Sequence, residues 1–470
     1  MRNFIAYFFV VFLGTTIGFG QSITAKFSKV DVLSDLDYLY ASLKDAHYNL
    51  FAYTSEKKYD SIYAVTKASV QKDSITAFAA HKMLQQFVAH AKNGHTAIEF
   101  PIPAYQEYAG AGGTLFPLEI AFDENKPLIR KNWSGQDGIA IGSELLKING
   151  MPMDVILSKI YRQISAERTY FKQVKLELYS LPRYYWQIFG QQETFEVEIK
   201  TKAGVKSFKL DAVPLIDGFE VKRNEVFNAK KDLKFFTHSA YLNPGDFSGD
   251  ETAYQKFIDS AFVQIKTKGR KNLIVDFRNN RGGNDSFSDY LISYFADKPF
   301  TWNSKFTLKT SKFLKEHVRK NYDTTSVFWQ KTLSHKDGEI YEYAFEPYTP
   351  QPEAKRFAGT VYVLANRQSH SQSAVASAQI QDWGFGTIVG EETGDFPSLF
   401  ASIFQFTLPK TGIPVTVPKG YIVRVNGSKK KEGVIPDILI KDYLLDEKDE
   451  ILEGLLAKID AETSTKKKDD

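Results

Sequence analysis

The segment Val361–Gly384, VYVLANRQSHSQSAVASAQIQDWG, decides the fold class that we predict. Its apolar first part is typical of a buried strand and its last part predicts a short helix. Three of its four serines and a histidine stand at the turn between them. Residues 273–295, LIVDFRNNRGGNDSFSDYLISYF, repeat this order with a pair of glycines in the turn. Strands that alternate with helices predict an α/β core, from about residue 225 to 445.

Both turns are suited to hold a developing negative charge. A serine at a helix N-terminus lies beside unpaired backbone N–H groups and the positive end of the helix dipole, although serine is also a common N-cap residue. Gly282 and Gly283 can direct backbone N–H groups towards an anion. Alternatively, they have only the structural role of permitting a tight turn. In isolation, neither turn distinguishes catalysis from structure.

The composition is that of a globular protein with more than one domain. The chain has 470 residues, of which 43% are apolar and 25% are charged, and this length predicts two or three domains. Its 60 basic and 56 acidic residues are mixed along the chain, so we expect no nucleic-acid partner. The chain has no cysteine, which excludes disulfides, a thiol nucleophile and a lipid-modified cysteine.

The N-terminal segment MRNFIAYFFVVFLGTTIGFG has the layout of a secretory signal. A basic residue precedes a short apolar run, and small residues precede Gln21, where cleavage is expected. The apolar run is short for a membrane span, which needs about 20 residues. We therefore expect a periplasmic or secreted protein without stable membrane insertion.

Four regions are predicted after the signal at 1–20. Helical periodicity predicts a helical N-terminal region at 21–100, and short strands predict a β-rich domain with a helical insertion at 101–215. The α/β core at 225–445 is followed by a C-terminal helix and charged tail at 446–470.

Five segments in one order resemble the C-terminal processing, or tail-specific, serine peptidases: AKNGHTAIEF, GIAIGSELLKING, VDFRNNRGG, the serine-rich segment above, and LPKTGIPVTVP with EGVIPDILI. The resemblance covers most of the chain after the signal. It implies an α/β multidomain fold with a helical N-terminal cap, a PDZ-like β-rich domain and a catalytic core of the ClpP/crotonase-like type. It also implies serine endopeptidase activity on polypeptides with no cofactor and no metal.

The same resemblance implies Ser371 as the nucleophile, with Ser369 and Ser373 as competitors. It implies an oxyanion hole formed by the N–H of Gln372 with that of Gly282 or Gly283. His370 is expected to be a loop residue, because adjacent side chains diverge.

The residue that would act as the base differs from the lysine of the family's Ser-Lys dyad. Phe396 stands where the lysine is expected, and no lysine lies between Arg367 and Lys410. A serine needs a base to act as a nucleophile near neutral pH. The chain is closer to the Ser/His branch that includes the tricorn protease core, which implies His95 in NGHT as the base. That branch has a serine where Gly94 stands.

In the same branch a glutamate completes the catalytic set. Glu432 is in the matching position, with Glu391 and Glu392 as alternatives. The PDZ-like match suggests that the loop from Gly110 to Gly113 receives a substrate's C-terminal carboxylate. Two other functions remain open: a catalytically inactive peptide-binding or ligand-binding protein, and a serine hydrolase that acts on non-peptide esters.

Overall fold

The computed structural model describes residues 25–220, 229–443 and 445–469, so the predicted signal lies outside the described residues. The N-terminal elements are β1 (Lys26–Ser28), α1 (Lys29–Ala46), α2 (Glu56–Ser69), β2 (Ser74–Thr76), α3 (Ala77–Ala89) and α4 (Ile102–Gly110). Side chains of Ser28 and Thr76 cap α1 and α3 by accepting backbone N–H groups. Strand β2, which directly precedes α3, pairs with β1.

The second region is an antiparallel sheet with three inserted helices. Its elements are β3 (Thr114–Leu115), β4 (Leu118–Asp123), β5 (Lys126–Asn132), β6 (Glu144–Ile148), β7 (Met151–Pro152), α5 (Met153–Tyr161), α6 (Thr169–Tyr179), α7 (Leu181–Phe189), β8 (Thr194–Thr201), β9 (Gly204–Asp211) and β10 (Val213–Pro214). The sheet order is β4-β5-β6-β8-β9, with β7 beside β6. Alternate residues of β8, such as Phe195, Val197 and Ile199, are buried in an apolar core shared with the helices. A π-helical segment, Leu215–Glu220, follows β10.

The third region contains a mainly parallel sheet. Its elements are β11 (Asp232–Phe235), β12 (Ser239–Asn243), α8 (Glu251–Thr267), β13 (Asn272–Asp276), α9 (Asp285–Ile292), β16 (Thr360–Ala365), α12 (Gln372–Trp383), β17 (Thr387–Gly390), β20 (Ile438–Leu439) and α13 (Glu450–Asp469). The order is β11-β12-β13-β16-β17-β20, and only the β11–β12 pair is antiparallel. Residues of α8, α9 and α12 pack in one core cluster with this sheet, and residues of α13 pack in another.

Between α9 and β16, and again between β17 and β20, the chain forms a smaller antiparallel sheet. Its elements are β14 (Lys305–Lys309), α10 (Lys312–Asn321), α11 (Val327–Ser334), β15 (Ile340–Glu342), β18 (Leu399–Thr407) and β19 (Pro414–Val423), with a 3₁₀ turn at Glu353–Lys355. Helices α1 and α3 share an apolar core with β18 and β19. The segment after α3 also pairs with β19 through Ala97 and Thr416. These contacts fix the N-terminal helices on the third region.

The topology brings the two polar turns together. Strands β13 and β16 are parallel neighbours in register, with Asp276 opposite Leu364 at their carboxyl ends. The glycine turn follows β13 and the serine turn follows β16, so both turns lie at one edge of the sheet, where open α/β sheets bind ligands. Among the described residues, no helix has the length and apolar character needed to cross a membrane.

Candidate active site

Ser371 occupies a strained turn between β16 and α12. Its backbone has φ 53° and ψ −122°, which is unusual for a residue with a side chain. Ser371 is the N-cap residue of α12, but its side chain makes no capping hydrogen bond. The hydroxyl is therefore not committed to the structural role that serine often has at a helix N-terminus.

The two competing serines have structural roles. Ser369 Oγ donates to the carbonyl of Phe277 at 2.8 Å and accepts the N–H of Asn366 at 3.1 Å. Ser373 Oγ also donates to the Phe277 carbonyl, at 3.3 Å. Both are fully buried, so they join the serine turn to the end of β13 and are poorly placed to attack a substrate.

His95 lies beside Ser371. The distance from His95 Nε2 to Ser371 Oγ is 3.1 Å, although the residues are 276 positions apart in the chain. His95 follows α3 in a short turn that is anchored to β19 two residues later through Ala97. The structure thus brings together the nucleophile and the base that the resemblance implied.

The surroundings of His95 favour its neutral form. The pKa of His95 is lowered to about 4, mainly by burial; Glu167 opposes this shift and the Lys175 ammonium adds to it. A neutral imidazole can accept the proton of a serine hydroxyl at neutral pH. Within the described part of the chain, His95 Nδ1 has no hydrogen-bond partner.

Two charged residues hold the backbone next to His95. Glu167 Oε1 accepts hydrogen bonds from Asn93 Nδ2 and the N–H of Gly94, both at 2.8 Å. Lys175 Nζ donates to the carbonyl of Gly94 at 2.8 Å. A Cβ at residue 94 would lie 2.6 Å from Phe171 Cε1, so the packing leaves no room for the serine that the related branch has there.

Asp395 is a site residue that the sequence analysis missed. Its Oδ2 accepts the N–H of Ser371 at 3.1 Å and lies 3.8 Å from His95 Nε2. Burial raises the pKa of Asp395 to about 6, against the opposing effect of the Ser371 N–H. A signal was present, because Asp395 directly precedes Phe396, the position where the family's lysine was expected.

His370 stacks on His95 rather than facing away from the site. The ring centroids are 5.1 Å apart and the planes differ by 9°. His370 Nδ1 lies 3.1 Å from Asp395 Oδ2, but the approach is too poorly aligned for a hydrogen bond. Burial lowers the pKa of His370 well below its ordinary value, and His95 adds to this effect.

The glycine turn lies directly against the serine turn. A Cβ on Gly282 would be 2.6 Å from the nitrogen of Gln372, and a Cβ on Gly283 would be 1.9 Å from the Phe247 carbonyl oxygen. Both positions have positive φ, so both require glycine. The N–H of Gly282 donates to Asn280 Oδ1 at 2.7 Å, which leaves Gly283 and Gln372 as the better placed oxyanion donors.

The structure does not bring Glu432 to His95. Its carboxylate is 44% exposed and lies 3.5 Å from Lys430 Nζ on the surface. The alternatives are engaged elsewhere: Glu391 pairs with Arg367 at 3.1 Å, and Glu392 pairs with Arg168 at 2.6 Å. The expected acid at Glu432 is therefore replaced near the imidazole by Asp395, which approaches Nε2 rather than Nδ1.

The glycine loop before β3 is also different from expectation. The N–H groups of Gly112 and Gly113 donate to carbonyls of Ala109 and Tyr108 at the end of α4. The next N–H, of Thr114, donates to the Tyr108 hydroxyl. The prediction that this loop receives a carboxylate is wrong, because these donors complete a helix C-terminus.

A cavity of about 400 Å³ is lined by His370, which lies between Ser371 and Ser369 in the turn, and by the residue before His95. Its wall includes Gly94 and Gly282, and its apolar side is formed by residues such as Ile98, Phe100 and Val174. A cleft of this size with an apolar side can accommodate a large apolar side chain.

Comparison with known proteins identifies the third region. Residues 238–440 match the family model described as Peptidase family S41. The chain is 15% identical to the crystal structure of mature CPAF, with 87% of this chain and 92% of that chain covered and a TM-score of 0.62. Mature CPAF complexed with lactacystin gives the same identity and TM-score, with 87% and 93% covered. The crystal structure of a CPAF S499A mutant is 14% identical, with 88% and 93% covered and a TM-score of 0.58. At these identities, the solved structures establish a shared fold. Over residues 238–440, the family match agrees with the predicted resemblance to the C-terminal processing serine peptidases.

Proposed function

We propose that this serine-type peptidase, whose residues 238–440 form a peptidase family S41 domain, cleaves internal peptide bonds through an acyl-enzyme on Ser371. The contact of 3.1 Å between His95 Nε2 and Ser371 Oγ is the observation that supports this mechanism best. A hydroxyl and a neutral imidazole at that distance are the minimal pair for nucleophilic acyl transfer.

In the acylation step, Ser371 Oγ attacks the substrate carbonyl carbon while His95 Nε2 takes the hydroxyl proton. The tetrahedral oxyanion accepts hydrogen bonds from the N–H groups of Gln372 and Gly283. Collapse of this intermediate breaks the C–N bond, and His95 returns the proton to the leaving amine. Water then attacks the ester with the same base, which releases the acid product and restores Ser371.

Asp395 supplies a negative charge to this sequence. The imidazolium that forms on His95 is favoured by a carboxylate 3.8 Å from Nε2. The same carboxylate oxygen accepts the N–H of Ser371 and so holds the strained turn. We assign Asp395 as a positioning and electrostatic residue, in place of Glu432.

The other regions are assigned by the same proposal. Residues 21–100 act as a helical cap over the core, and residues 101–215 are a PDZ-like domain that guides the substrate chain. The donors of the Gly112–Gly113 loop are engaged within the protein. We therefore propose recognition of internal segments rather than of a free C-terminus. The signal-like N-terminus supports export to the periplasm or the medium.

The test compares the wild-type protein with Ser371→Ala and Ser373→Ala on an unfolded polypeptide. Ser371→Ala should abolish cleavage, whereas Ser373→Ala removes a buried hydroxyl from the same turn and should retain it. A fluorophosphonate should label Ser371, as located by mass spectrometry of the digested protein. Labelling at another serine, or equal losses in both variants, contradicts the assignment, and a wild-type protein inactive on peptides and esters favours the binding-protein alternative.

A further inference from the structure

Beside the nucleophile, three side chains with metal-binding atoms converge. One ligand atom from each of His95, His370 and Asp395 lies within 4.8 Å of the others. The acyl-transfer mechanism uses His95 as base and Asp395 as a charge, but it has no role for the His370 imidazole. The position of the His370 imidazole in this cluster is therefore not explained by the proposed acyl-transfer mechanism.

The spacing is close to that of a tetrahedral metal site. Bonds of about 2.0–2.1 Å to Zn²⁺ place neighbouring ligand atoms about 3.3 Å apart. Asp395 Oδ2 lies 3.1 Å from His370 Nδ1 and 3.8 Å from His95 Nε2. The ligand atoms of His95 and His370 lie within 4.8 Å of each other, so binding of an ion requires the two stacked rings to turn towards it.

The hydrogen bonding leaves His370 available to an ion. Within the described residues, His370 Nδ1 is buried and has no hydrogen-bond partner, so its lone pair or its proton is unsatisfied. A cation between His370 Nδ1 and Asp395 Oδ2 would give His370 Nδ1 a partner. The His370 side chain is 27% exposed, which provides a path from the solvent.

We propose that His95, His370 and Asp395 form a binding site for a divalent transition-metal ion, specifically Zn²⁺, and that the bound ion inhibits the peptidase. Two imidazoles and one carboxylate suit Zn²⁺ better than Mg²⁺ or Ca²⁺, which prefer oxygen ligands. Ser371 Oγ lies 3.1 Å from His95 Nε2, so an ion bound at this site would lie next to the hydroxyl.

Inhibition follows from a shared atom. A lone pair of His95 Nε2 that binds the metal cannot accept the Ser371 proton, so the metal and the catalytic proton transfer exclude each other. This consequence rests on the proposed function. Metal binding itself does not, and it can be measured on a protein that has no nucleophile.

The binding experiment uses untagged Ser371→Ala protein titrated with ZnCl₂ in a calorimeter. We expect one ion per chain at this site, and we expect His370→Ala in the same background to weaken its binding at least 10-fold. His335→Ala is the matched control, because His335 pairs with Glu339 at another position and should not affect this site. Co²⁺ in place of Zn²⁺ should give the strong visible absorption of a tetrahedral site.

Equal Zn²⁺ affinity with and without His370, or a weak octahedral Co²⁺ spectrum, overturns the binding proposal. For inhibition, Zn²⁺ should suppress wild-type hydrolysis over the concentration range in which it binds, and a chelator should restore the rate. Full hydrolysis with the site occupied overturns the inhibition proposal. A wild-type protein with no hydrolysis at all contradicts the proposed function, while the titration still decides the metal site.

Discussion

Replacement of Asp395 by Asn tests whether its charge assists catalysis. Asn keeps the size of the side chain and an oxygen that can accept the N–H of Ser371. It removes the carboxylate charge that lies 3.8 Å from His95 Nε2. We therefore expect Asp395→Asn to fold normally and to lose activity.

The distance sets the expected magnitude. Two unit charges 3.8 Å apart attract by about 4 kcal/mol at an effective dielectric constant of about 20. This attraction exists only while His95 is protonated in the transition state, so its loss raises the barrier. Because about 1.4 kcal/mol corresponds to a factor of ten, kcat/KM should fall roughly 10²- to 10³-fold.

The pH profile separates an electrostatic role from a structural one. The pKa of His95 is lowered to about 4, and that of Asp395 is raised to about 6. Wild-type kcat/KM should rise through pH 4 as His95 loses its proton, and rise again through pH 6 as Asp395 ionises. Asp395→Asn should lose the second rise and keep the first.

Stability should not account for the loss. Burial raises the folded-state pKa of Asp395 from 3.8 to about 6, so the folded state binds the proton more tightly than the unfolded state does. The folded state therefore loses stability as the pH rises from about 4 through 6, where Asp395 ionises. Asp395→Asn removes that cost but also loses one of the two acceptor oxygens, which bind the N–H groups of Ser371 and Phe396. The two effects oppose each other, so its urea midpoint at pH 7 should be close to that of the wild type.

A second buried aspartate provides the control. Burial raises the pKa of Asp289 to about 8, so most of it is already neutral at pH 7. Asp289→Asn keeps an acceptor for Gln379 and should leave kcat/KM within about twofold at that pH. If Asp395→Asn retains a third or more of wild-type kcat/KM at pH 7, or keeps the rise near pH 6, the electrostatic role of Asp395 is refuted.

Three further predictions concern the loop, the substrate and the N-terminus. Gly94→Ser adds the hydroxyl found in the related branch, but its Cβ would lie 2.6 Å from Phe171. Because overpacking costs about 1–3 kcal/mol, thermal stability and kcat/KM should both fall. A gain in activity would contradict this prediction. Amidation of a peptide substrate's C-terminus should change kcat/KM less than about threefold, because the predicted carboxylate loop completes a helix end, and a larger loss would indicate tail recognition. Expression with the full N-terminus should give an exported protein that begins at Gln21 by N-terminal sequencing, whereas retention of Met1 on a membrane-bound protein would contradict export.

The sequence was sufficient to predict features that depend on local pattern. The order of strand, polar turn and helix predicts the α/β core, because burial and turn chemistry are encoded over a few residues. The structure shows that order around Ser371, and also the tight turn at Gly282 and Gly283. The second region likewise contains short strands, as predicted.

The remaining features depend on contacts between distant segments. Asp395 reaches Ser371 and His95 only because the segment after β17 crosses the carboxyl end of the sheet. The match in family position suggested Glu432, but its surroundings place it with lysines at the surface. The donor role of Gly282 depends instead on a local contact: Asn280, two residues earlier, accepts its N–H, and the sequence pattern does not determine the side-chain conformation of Asn280.

A double-mutant cycle on His95 and Ser371 tests the central mechanism most directly. The measurement is kcat/KM on one polypeptide substrate for the wild type, His95→Ala, Ser371→Ala and the double variant. If the two side chains act as one unit, each single replacement should cost several orders of magnitude, and the double variant should be scarcely slower than either. Near-normal hydrolysis by His95→Ala, or losses in the two single variants that add in the double variant, would contradict the assignment of His95 as the base for Ser371.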